Sequence, residues 1–279
     1  MSKVKKKLLI GFFRSYFNSL SYFSKERAAN KAFKLFVSPR KGRVRENQRA
    51  FLEEAKAQVL IVDKLAIQTY HWPGYKETIL LFHGWESNAF RWKELIAKLQ
   101  EEGYNIIACD APAHGNSGGN ILYVPLYQKI GKAMIEKFNP SVAIGHSMGG
   151  MMLLFNQHLN PISSIEKLVC LGAPAQLEGT MNNYYQLLGL NSRLQNGMES
   201  FFQREFNFKT TEFTVANWAD QFKVQGLIVH DIRDKVIPVS DAKLIHKHWK
   251  GSSLHLTQGL GHSLKSAEIN QMISEFITT

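Results

Sequence analysis

The sequence has very little cysteine: Cys109 and Cys170 are the two in 279 residues. Each stands at the end of a short apolar run, which is typical of a buried strand, and a free thiol there packs as a small hydrophobic side chain. Two such residues give no support to a disulfide framework or a metal site. We therefore expect inert core thiols, a reducing cytoplasmic compartment, and neither a metal nor another cofactor.

Long apolar runs are missing as well. The run Leu8–Phe13 ends at Arg14, whereas a helix that crosses a bilayer needs about 20 apolar residues. No small-residue cleavage site follows it, so the sequence does not predict a signal peptide. A content of 44% hydrophobic and 20% charged residues without internal repeats indicates a folded globular chain. Its 279 residues suit one large domain with an added lobe.

Acidic residues are scarce at one end. The first 50 residues contain 14 Lys and Arg against two acids, Glu26 and Glu46, a net charge of +12 that leaves −1 for the rest of the chain. A near-neutral body argues against a nucleic-acid surface, so no nucleic-acid partner is expected. Any anionic partner should meet the basic N-terminal arm, which we place at residues 1–58.

The arm begins as a predicted amphipathic helix. One face of it carries Leu9, Phe12, Phe13, Tyr16, Phe17 and Leu20. Two interpretations stay open. The face docks on the protein itself or on the second subunit of a homodimer, or residues 1–23 lie peripherally on an anionic membrane, at the inner membrane face.

The rest of the arm is predicted to be helical with one basic loop. Ser24 can cap a second helix, which ends near Ser38-Pro39. The basic loop 40–45 is interpreted as solvated surface, with a phosphate or lipid contact as the alternative. A third helix is predicted from Glu46 to Ala57.

From about residue 59, short apolar strands alternate with amphipathic helices. The predicted strands are 65–72, 78–82, 104–109, 141–145, 168–171, 227–230 and 253–257, and the predicted helices are 89–101, 125–138, 148–159, 240–249 and 266–277. Uninterrupted apolar strands of this kind form a mostly parallel sheet with helices on both faces, an α/β fold. The alternation lapses at 176–222, an aromatic-rich segment that we interpret as a helical cap inserted in a domain spanning 59–279.

A Gly-x-Ser-x-Gly sequence lies between a strand and a helix. Gly145-His146-Ser147-Met148-Gly149 follows the apolar run Val142–Ile144 and opens the helix predicted at 148–159. A serine on so sharp a turn points its hydroxyl over the strand end, and glycines flank it because strand and helix approach too closely for side chains. The motif predicts a nucleophilic serine.

Five motifs in a fixed order resemble those of the α/β-hydrolases over roughly residues 60–279, and the first two resemble bacterial hydrolases in particular. They are His83-Gly84-Trp85, Asp110-Ala111-Pro112-Ala113-His114-Gly115-Asn116-Ser117, Gly145-His146-Ser147-Met148-Gly149, His230-Asp231-Ile232-Arg233-Asp234-Lys235-Val236-Ile237-Pro238 and Gly259-Leu260-Gly261-His262-Ser263. The resemblance implies the α/β-hydrolase fold and the chain order Ser, Asp, His for the catalytic residues.

A serine nucleophile needs a base, and the base needs an orienting carboxylate. His262, in a glycine-rich loop after a late strand, is the expected base. Asp234 stands at the family's acid position, and Asp231, where the family usually has glycine, is the alternative acid. The expected oxyanion donors are the backbone N–H groups of Met148 and Trp85.

Other histidines are expected to support the site. We predict that His83, with Gly84, braces the oxyanion loop, that His114 holds the turn at 110–115, and that His146 shapes the turn that carries the nucleophile and borders the substrate pocket.

These residues predict a carboxylesterase-like serine hydrolase that cleaves a small-molecule ester or thioester through an acyl-enzyme on Ser147. Dehalogenases and epoxide hydrolases of the same fold generally carry an aspartate at that position, which argues against both. Peptidase, carbon–carbon hydrolase and perhydrolase activities stay open, because a fold does not fix its reaction. Two further alternatives are a non-catalytic binding or regulatory module, and a lysophospholipase-like enzyme that residues 1–23 dock on membranes. The presence of Ser147, Asp234 and His262 together speaks against the non-catalytic module.

Overall fold

The computed structural model describes residues 3–161 and 164–279. The helices are α1 (Lys3–Phe23), α2 (Lys25–Phe36), α3 (Glu46–Glu53), α4 (Lys93–Glu101), α5 (Val124–Phe138), α6 (Met148–Leu159), α7 (Leu177–Leu188), α8 (Ser192–Phe206), α9 (Val239–His248) and α10 (Ala267–Thr278). The strands are β1 (Lys56–Val62), β2 (Leu65–Trp72), β3 (Thr78–Phe82), β4 (Asn105–Cys109), β5 (Val142–His146), β6 (Lys167–Leu171), β7 (Gln225–Asp231) and β8 (Ser252–Thr257).

The strands form one eight-stranded sheet in the order β1-β2-β4-β3-β5-β6-β7-β8. β1 and β2 run antiparallel to their neighbours, and every pairing from β4 to β8 is parallel. The predicted mostly parallel sheet is therefore confirmed. Because parallel strands all end at one edge of the sheet, the loops that follow β3, β5, β7 and β8 lie along that edge.

Both faces of the sheet are covered by helices, as predicted. On one face Ile79, Leu81 and Ile144 share a buried core with apolar residues of α4 and α10. The alternate residues of these strands point to the opposite face of the sheet. One of them, Phe82, is buried against Tyr127 of α5, with the two ring centroids 6.0 Å apart. Strands buried on both faces explain the uninterrupted apolar runs in the sequence.

One strand was not predicted. The helix expected from Glu46 to Ala57 ends at Glu53, and the chain then enters β1 at Lys56. β1 lies at the edge of the sheet, and its apolar residues Val59 and Ile61 are exposed. An edge strand of this kind has no buried apolar run, so its pattern continues that of the preceding helix.

Contacts divide the chain into two compact units, Met1–Ser38 with Gln176–Thr214, and Pro39–Ala175 with Val215–Thr279. These bounds differ from the predicted arm at 1–58 and cap at 176–222. Residues 39–58 group with the sheet because α3 packs there, its Phe51 ring stacking on Trp72 of β2 with centroids 5.3 Å apart.

The first unit consists of α1, α2, α7 and α8. Phe33 of α2 contacts Phe201 of α8 with ring centroids 4.6 Å apart. Asn18 of α1 donates to the Gly189 carbonyl at 2.9 Å and accepts from the Asn191 N–H at 2.9 Å, which ties α1 to the loop between α7 and α8. The N-terminal helices therefore pack on helices of the segment that the sequence assigned to a cap.

The apolar face of α1 differs from the predicted one. Phe17 is buried and stacks with Phe13, ring centroids 5.5 Å apart. Phe12 and Tyr16, which were predicted on the same face, are exposed instead. Among the described residues, no helix combines the length and the apolar content needed to cross a bilayer.

Candidate active site

Ser147 lies on a sharp turn between β5 and α6. Its φ of 53° and ψ of −120° are unusual for a residue with a side chain, and its N–H donates to the Leu171 carbonyl at 2.8 Å. A Cβ added to Gly145 would lie 2.5 Å from the Gly150 nitrogen, and one added to Gly149 would lie 2.3 Å from the Phe82 oxygen. Both flanking positions therefore exclude any side chain, as the motif predicts.

The loop after β3 lies directly against this turn. A Cβ added to Gly84 would lie 2.8 Å from the Ser147 Cβ. Neither the Trp85 N–H nor the Met148 N–H, at the start of α6, has a hydrogen-bond acceptor within residues 3–161 and 164–279. Two backbone donors without protein acceptors are thus available on segments adjoining the serine.

His262 follows β8 and reaches the serine. Its Nε2 is 2.9 Å from the Ser147 Oγ, and its Nδ1 is 2.7 Å from the Asp234 Oδ2. The ring therefore accepts the serine O–H at Nε2 and donates its Nδ1–H to the carboxylate. Three side chains far apart in sequence, Ser147, His262 and Asp234, are brought into one chain of hydrogen bonds.

Asp234 follows β7 and is held from its other side. Its side chain is fully buried, and its Oδ1 accepts the N–H groups of Val236 and Ile237 at 2.7 and 3.1 Å. Backbone donors of this kind fix the orientation of a carboxylate. The other oxygen is left for His262.

His230 is a neighbour of the carboxylate that the sequence did not reveal. It is fully buried, donates from Nε2 to the Ile237 carbonyl at 3.0 Å, and has the same nitrogen 3.5 Å from the Asp234 Oδ2. It braces the loop that carries the acid. Nothing in its sequence position, the penultimate residue of β7, distinguishes it from a core residue.

Asp231, the alternative acid, does not contact His262 through its carboxylate. It is fully buried, its Oδ1 accepts the Arg233 N–H at 2.8 Å, and its Oδ2 accepts the Thr257 hydroxyl at 2.9 Å and the Leu260 N–H at 2.8 Å. Burial opposes ionisation, but these hydrogen bonds prevail and lower the pKa of Asp231 below its ordinary value. The carboxylate thus ties the loop that carries Asp234 to the loop that carries His262.

His83 links the loop after β3 to the segment after β4 by hydrogen bonds. It accepts the Ala111 N–H at Nε2, 2.9 Å, and donates from Nδ1 to the Gly84 carbonyl, 2.7 Å. Burial lowers the pKa of His83 to about 3, so the ring is neutral at pH 7. His114 accepts the Glu86 N–H at 2.9 Å, which links the turn at 110–115 to the same loop.

His146 packs behind the nucleophile. Its Nε2 donates to the His262 carbonyl at 2.8 Å, and the two rings are 4.9 Å apart. Burial holds the pKa of His146 well below its ordinary value, so it adds no charge to the site. Within the described part of the chain, no three His, Cys, Asp or Glu side chains are grouped as metal ligands would be.

A mostly parallel sheet with a serine on the turn after a central strand, and with an acid and a histidine after later strands, is the arrangement of the α/β-hydrolase fold. Comparisons with known proteins agree. A family model described as serine aminopeptidase, S33, matches residues 74–204.

Two relatives known by sequence are named as hydrolases. An uncharacterized hydrolase, YugF of Bacillus subtilis, is 26% identical, over 75% of this chain and 90% of its own. The human serine hydrolase BPHL is 26% identical, over 65% of this chain and 72% of its own. The structure of Est1E from Butyrivibrio proteoclasticus, solved with ferulic acid, superposes with a TM-score of 0.65 at 17% identity, over 80% of this chain and 98% of that one. The chain is a hydrolase of the α/β-hydrolase type.

Proposed function

We propose that this protein is a serine hydrolase that cleaves a carboxylic ester or thioester through an acyl-enzyme on Ser147. The observation that carries the proposal is the continuous chain of hydrogen bonds from the Ser147 Oγ through His262 to Asp234, at 2.9 and 2.7 Å. The serine-hydrolase name of the human relative supports the same reaction class.

Acylation follows from the positions of these atoms. The Ser147 oxygen attacks the substrate carbonyl carbon while its proton passes to the His262 Nε2. The imidazolium is stabilised by the Asp234 carboxylate, which does not take the proton itself. The oxygen of the tetrahedral intermediate accepts hydrogen bonds from the Met148 and Trp85 N–H groups. His262 then gives its proton to the departing alcohol or thiol.

Deacylation repeats these steps with water. His262 removes a proton from the water that attacks the acyl carbonyl, and it returns that proton to the Ser147 oxygen as the carboxylic acid leaves. The cycle needs no metal or organic cofactor. Each N–H donor contributes about 10²–10³ in rate, because it binds the oxygen more strongly as charge develops.

A panel of p-nitrophenyl esters of increasing acyl length tests the proposal. We expect the wild type to hydrolyse at least the short esters, and Ser147→Ala to lose roughly 10³-fold or more of kcat/KM, since the nucleophile is gone. Ser200→Ala, at an exposed position on α8, is the matched control and should match the wild type. A folded wild type that hydrolyses no ester or thioester and is not labelled by a fluorophosphonate would favour the non-catalytic binding module.

A second candidate, a lipid-directed hydrolase, rests on an exposed stripe along α1. Val4, Leu8, Phe12 and Tyr16 recur every fourth residue, so they share one side of the helix, and they are 66%, 69%, 61% and 39% exposed. Neighbouring positions in the first turns are lysines, and α1 contains no acid. Aromatic side chains and lysines in this arrangement suit the surface of an anionic membrane. We propose that the chain is cytoplasmic and binds such a membrane peripherally through this stripe.

Co-sedimentation with vesicles of phosphatidylcholine and phosphatidylserine tests the second candidate. Phe12→Ser should bind less than the wild type, whereas Tyr75→Ser, which removes an 86% exposed aromatic residue outside α1, should not change binding. Equal binding of all three proteins would remove the membrane proposal. A homodimer formed through the stripe would instead appear as a concentration-dependent mass in analytical ultracentrifugation that Phe12→Ser lowers.

A further inference from the structure

A basic cavity of about 320 Å³ lies beside the candidate active site. Its lining includes His146 and Ser263, the sequence neighbours of the nucleophile and the base, together with the cationic residues Arg43, Arg45, Arg91 and Lys265. The volume is far above the roughly 10–15 Å³ that a cavity needs to hold one water molecule. All of these residues belong to the unit that contains the sheet.

Among the described residues, the cationic side chains of this cavity make no direct ion pair; Glu94 acts on Arg91 and Lys265 from farther away, and the buried Asp110 acts on Arg43. Within residues 3–161 and 164–279, none of the four cationic side chains has a carboxylate within 4.0 Å. Arg43 donates to backbone carbonyls, those of Ser117 at 2.6 Å and Gly115 at 3.3 Å. Glu86 is the one acid in the lining, and its Oε1 accepts the Arg40 N–H at 2.9 Å.

Arg91 supplies the observation that points to a ligand. Its Nε is buried and has no hydrogen-bond partner among the described residues, while its terminal nitrogen donates to the Ser263 carbonyl at 3.1 Å. Burial lowers the pKa of Arg91 to about 9, despite an opposing effect of Glu94, so the group stays charged at pH 7. Burial and then repulsion from Arg91 lower the pKa of Lys265. A buried guanidinium donor without an acceptor has a high free-energy cost.

We propose that this cavity is an oxyanion-binding subsite that holds a phosphate-type group next to the catalytic residues. Guanidinium groups present planar pairs of N–H donors that match a phosphate, and Lys265 adds a point charge. A phosphate monoester carries a charge of about −1.5 to −2 at pH 7. It therefore balances more of the charge of four cations than a carboxylate group, with its single negative charge, would. The group is either part of the substrate or a free ion.

If the phosphate is part of the substrate, the inference rests on the proposed hydrolase activity and narrows its substrate class. A phosphate next to the reacting bond would belong to a phosphorylated alcohol that carries its phosphate only a few bonds from the ester oxygen, such as glycerol 3-phosphate. The basic loop 40–45, for which the sequence predicts solvated surface or, alternatively, a phosphate or lipid contact, contributes Arg43 and Arg45 to the lining.

Binding of inorganic phosphate to the full chain, measured by calorimetry at constant ionic strength, tests the subsite directly. We expect the wild type to bind phosphate saturably. Arg91→Met and Lys265→Met should each raise the dissociation constant roughly tenfold, the change that loss of one charge-assisted hydrogen bond produces. Lys132→Met removes the same charge from α5, outside the cavity, and should bind as the wild type does. Absence of saturable binding, or equal weakening in Lys132→Met, would overturn the proposal.

A pair of substrates identifies the source of the phosphate. 1-Acetylglycerol 3-phosphate carries a phosphate close to its ester bond, and 1-acetylglycerol presents the same ester without it. If the phosphate belongs to the substrate, Lys265→Met lowers the ratio of kcat/KM for the phosphorylated ester to kcat/KM for the unphosphorylated ester by about the factor by which it weakens phosphate binding. An unchanged ratio together with weakened phosphate binding assigns the subsite to a free ion. If a fluorophosphonate does not label Ser147, the hydrolase proposal fails. The phosphate-binding measurement then still decides whether the cavity binds phosphate.

Discussion

Asp231 illustrates how one buried carboxylate arranges this site. Its two oxygens accept the Arg233 and Leu260 N–H groups at 2.8 Å each, so it links the loops that carry Asp234 and His262. At this position the α/β-hydrolases usually have a glycine, which offers no such link. The placement of Asp234 and His262 in this chain therefore depends on an additional charged side chain.

Asp231→Asn should destabilise the protein in a pH-dependent way. The substitution removes a charged acceptor from backbone donors, so at pH 7 we expect a melting temperature lower by roughly 3–10 °C. Because the folded-state pKa of Asp231 is lowered, its stabilisation is present above the ordinary carboxyl pKa of about 3.9 and is lost as the pH falls through the folded value. Thermal unfolding from pH 7 to pH 3 should show the difference between wild type and variant shrinking below about pH 4.

A control separates this effect from simple loss of an acid. Asp63→Asn removes an exposed carboxylate in a left-handed turn that asparagine also adopts, and should change the melting temperature little at any pH. A constant difference between Asp231→Asn and the wild type across the pH range would contradict the role given to Asp231.

At the scale of single residues, the sequence predicted the identities but not every contact. Ser147, His262 and Asp234 follow from motif order, and the structure brings them together. The contacts of His230 and Asp231 could not be predicted, because they depend on how two loops meet across the end of the sheet. The same holds for the cavity lined by Arg91, whose charge is unremarkable in the sequence.

At the scale of elements, the close approach of β5, β3 and α6 sets the position of the nucleophile. Gly149 of α6 lies so close to β3 that a Cβ would be 2.3 Å from the Phe82 oxygen and 2.8 Å from the His83 oxygen. These are backbone atoms, so they cannot move aside without shifting the strand.

Gly149→Ala should therefore damage the fold at the nucleophile turn. We expect a loss of roughly 2–4 kcal/mol in the free energy of unfolding, as for overpacking of a rigid core, measured by urea titration. Gly179→Ala is the matched control, because nothing lies within 4 Å of the added Cβ and its φ is negative in α7. There alanine should be neutral or should stabilise by up to about 1 kcal/mol. Similar effects of the two substitutions would be inconsistent with the packing described.

Elements with buried apolar patterns were predictable, and elements at the surface were less so. β3, β5 and β6 are buried on both faces, and their predicted ranges differ from the observed ones by a residue or so. β1 lies at the sheet edge and none of its residues is fully buried, so its pattern did not stand out. In α1 the helix was predictable, but which side of it packs was not, because apolar residues occur on both sides.

At the scale of the whole molecule, charge is divided between a strongly basic N-terminal segment and a nearly neutral remainder. The first 50 residues carry +12 and the rest −1. Attraction of exposed charges to a surface falls steeply once the Debye length, about 10 Å at 0.1 M salt, becomes shorter than their separation.

If the membrane proposal is right, vesicle binding should weaken as salt rises. We expect most of the protein that binds phosphatidylserine-containing vesicles at 0.05 M salt to be released by about 0.5 M. A small bound fraction should remain, because the aromatic stripe of α1 does not depend on salt. Sedimentation at a series of salt concentrations, with pure phosphatidylcholine vesicles as the control, measures this. Binding that is independent of salt and of phosphatidylserine would contradict an electrostatic contribution.

The most direct test of the catalytic role of Ser147 is the site of covalent labelling. After incubation of the full chain with a fluorophosphonate, peptide mass spectrometry should find one phosphonyl group on Ser147. Ser147→Ala should take up none, and His262→Ala should label far more slowly because its serine has no base. A modification found elsewhere while Ser147 stays free, or labelling that does not depend on His262, would contradict the catalytic role given to these residues.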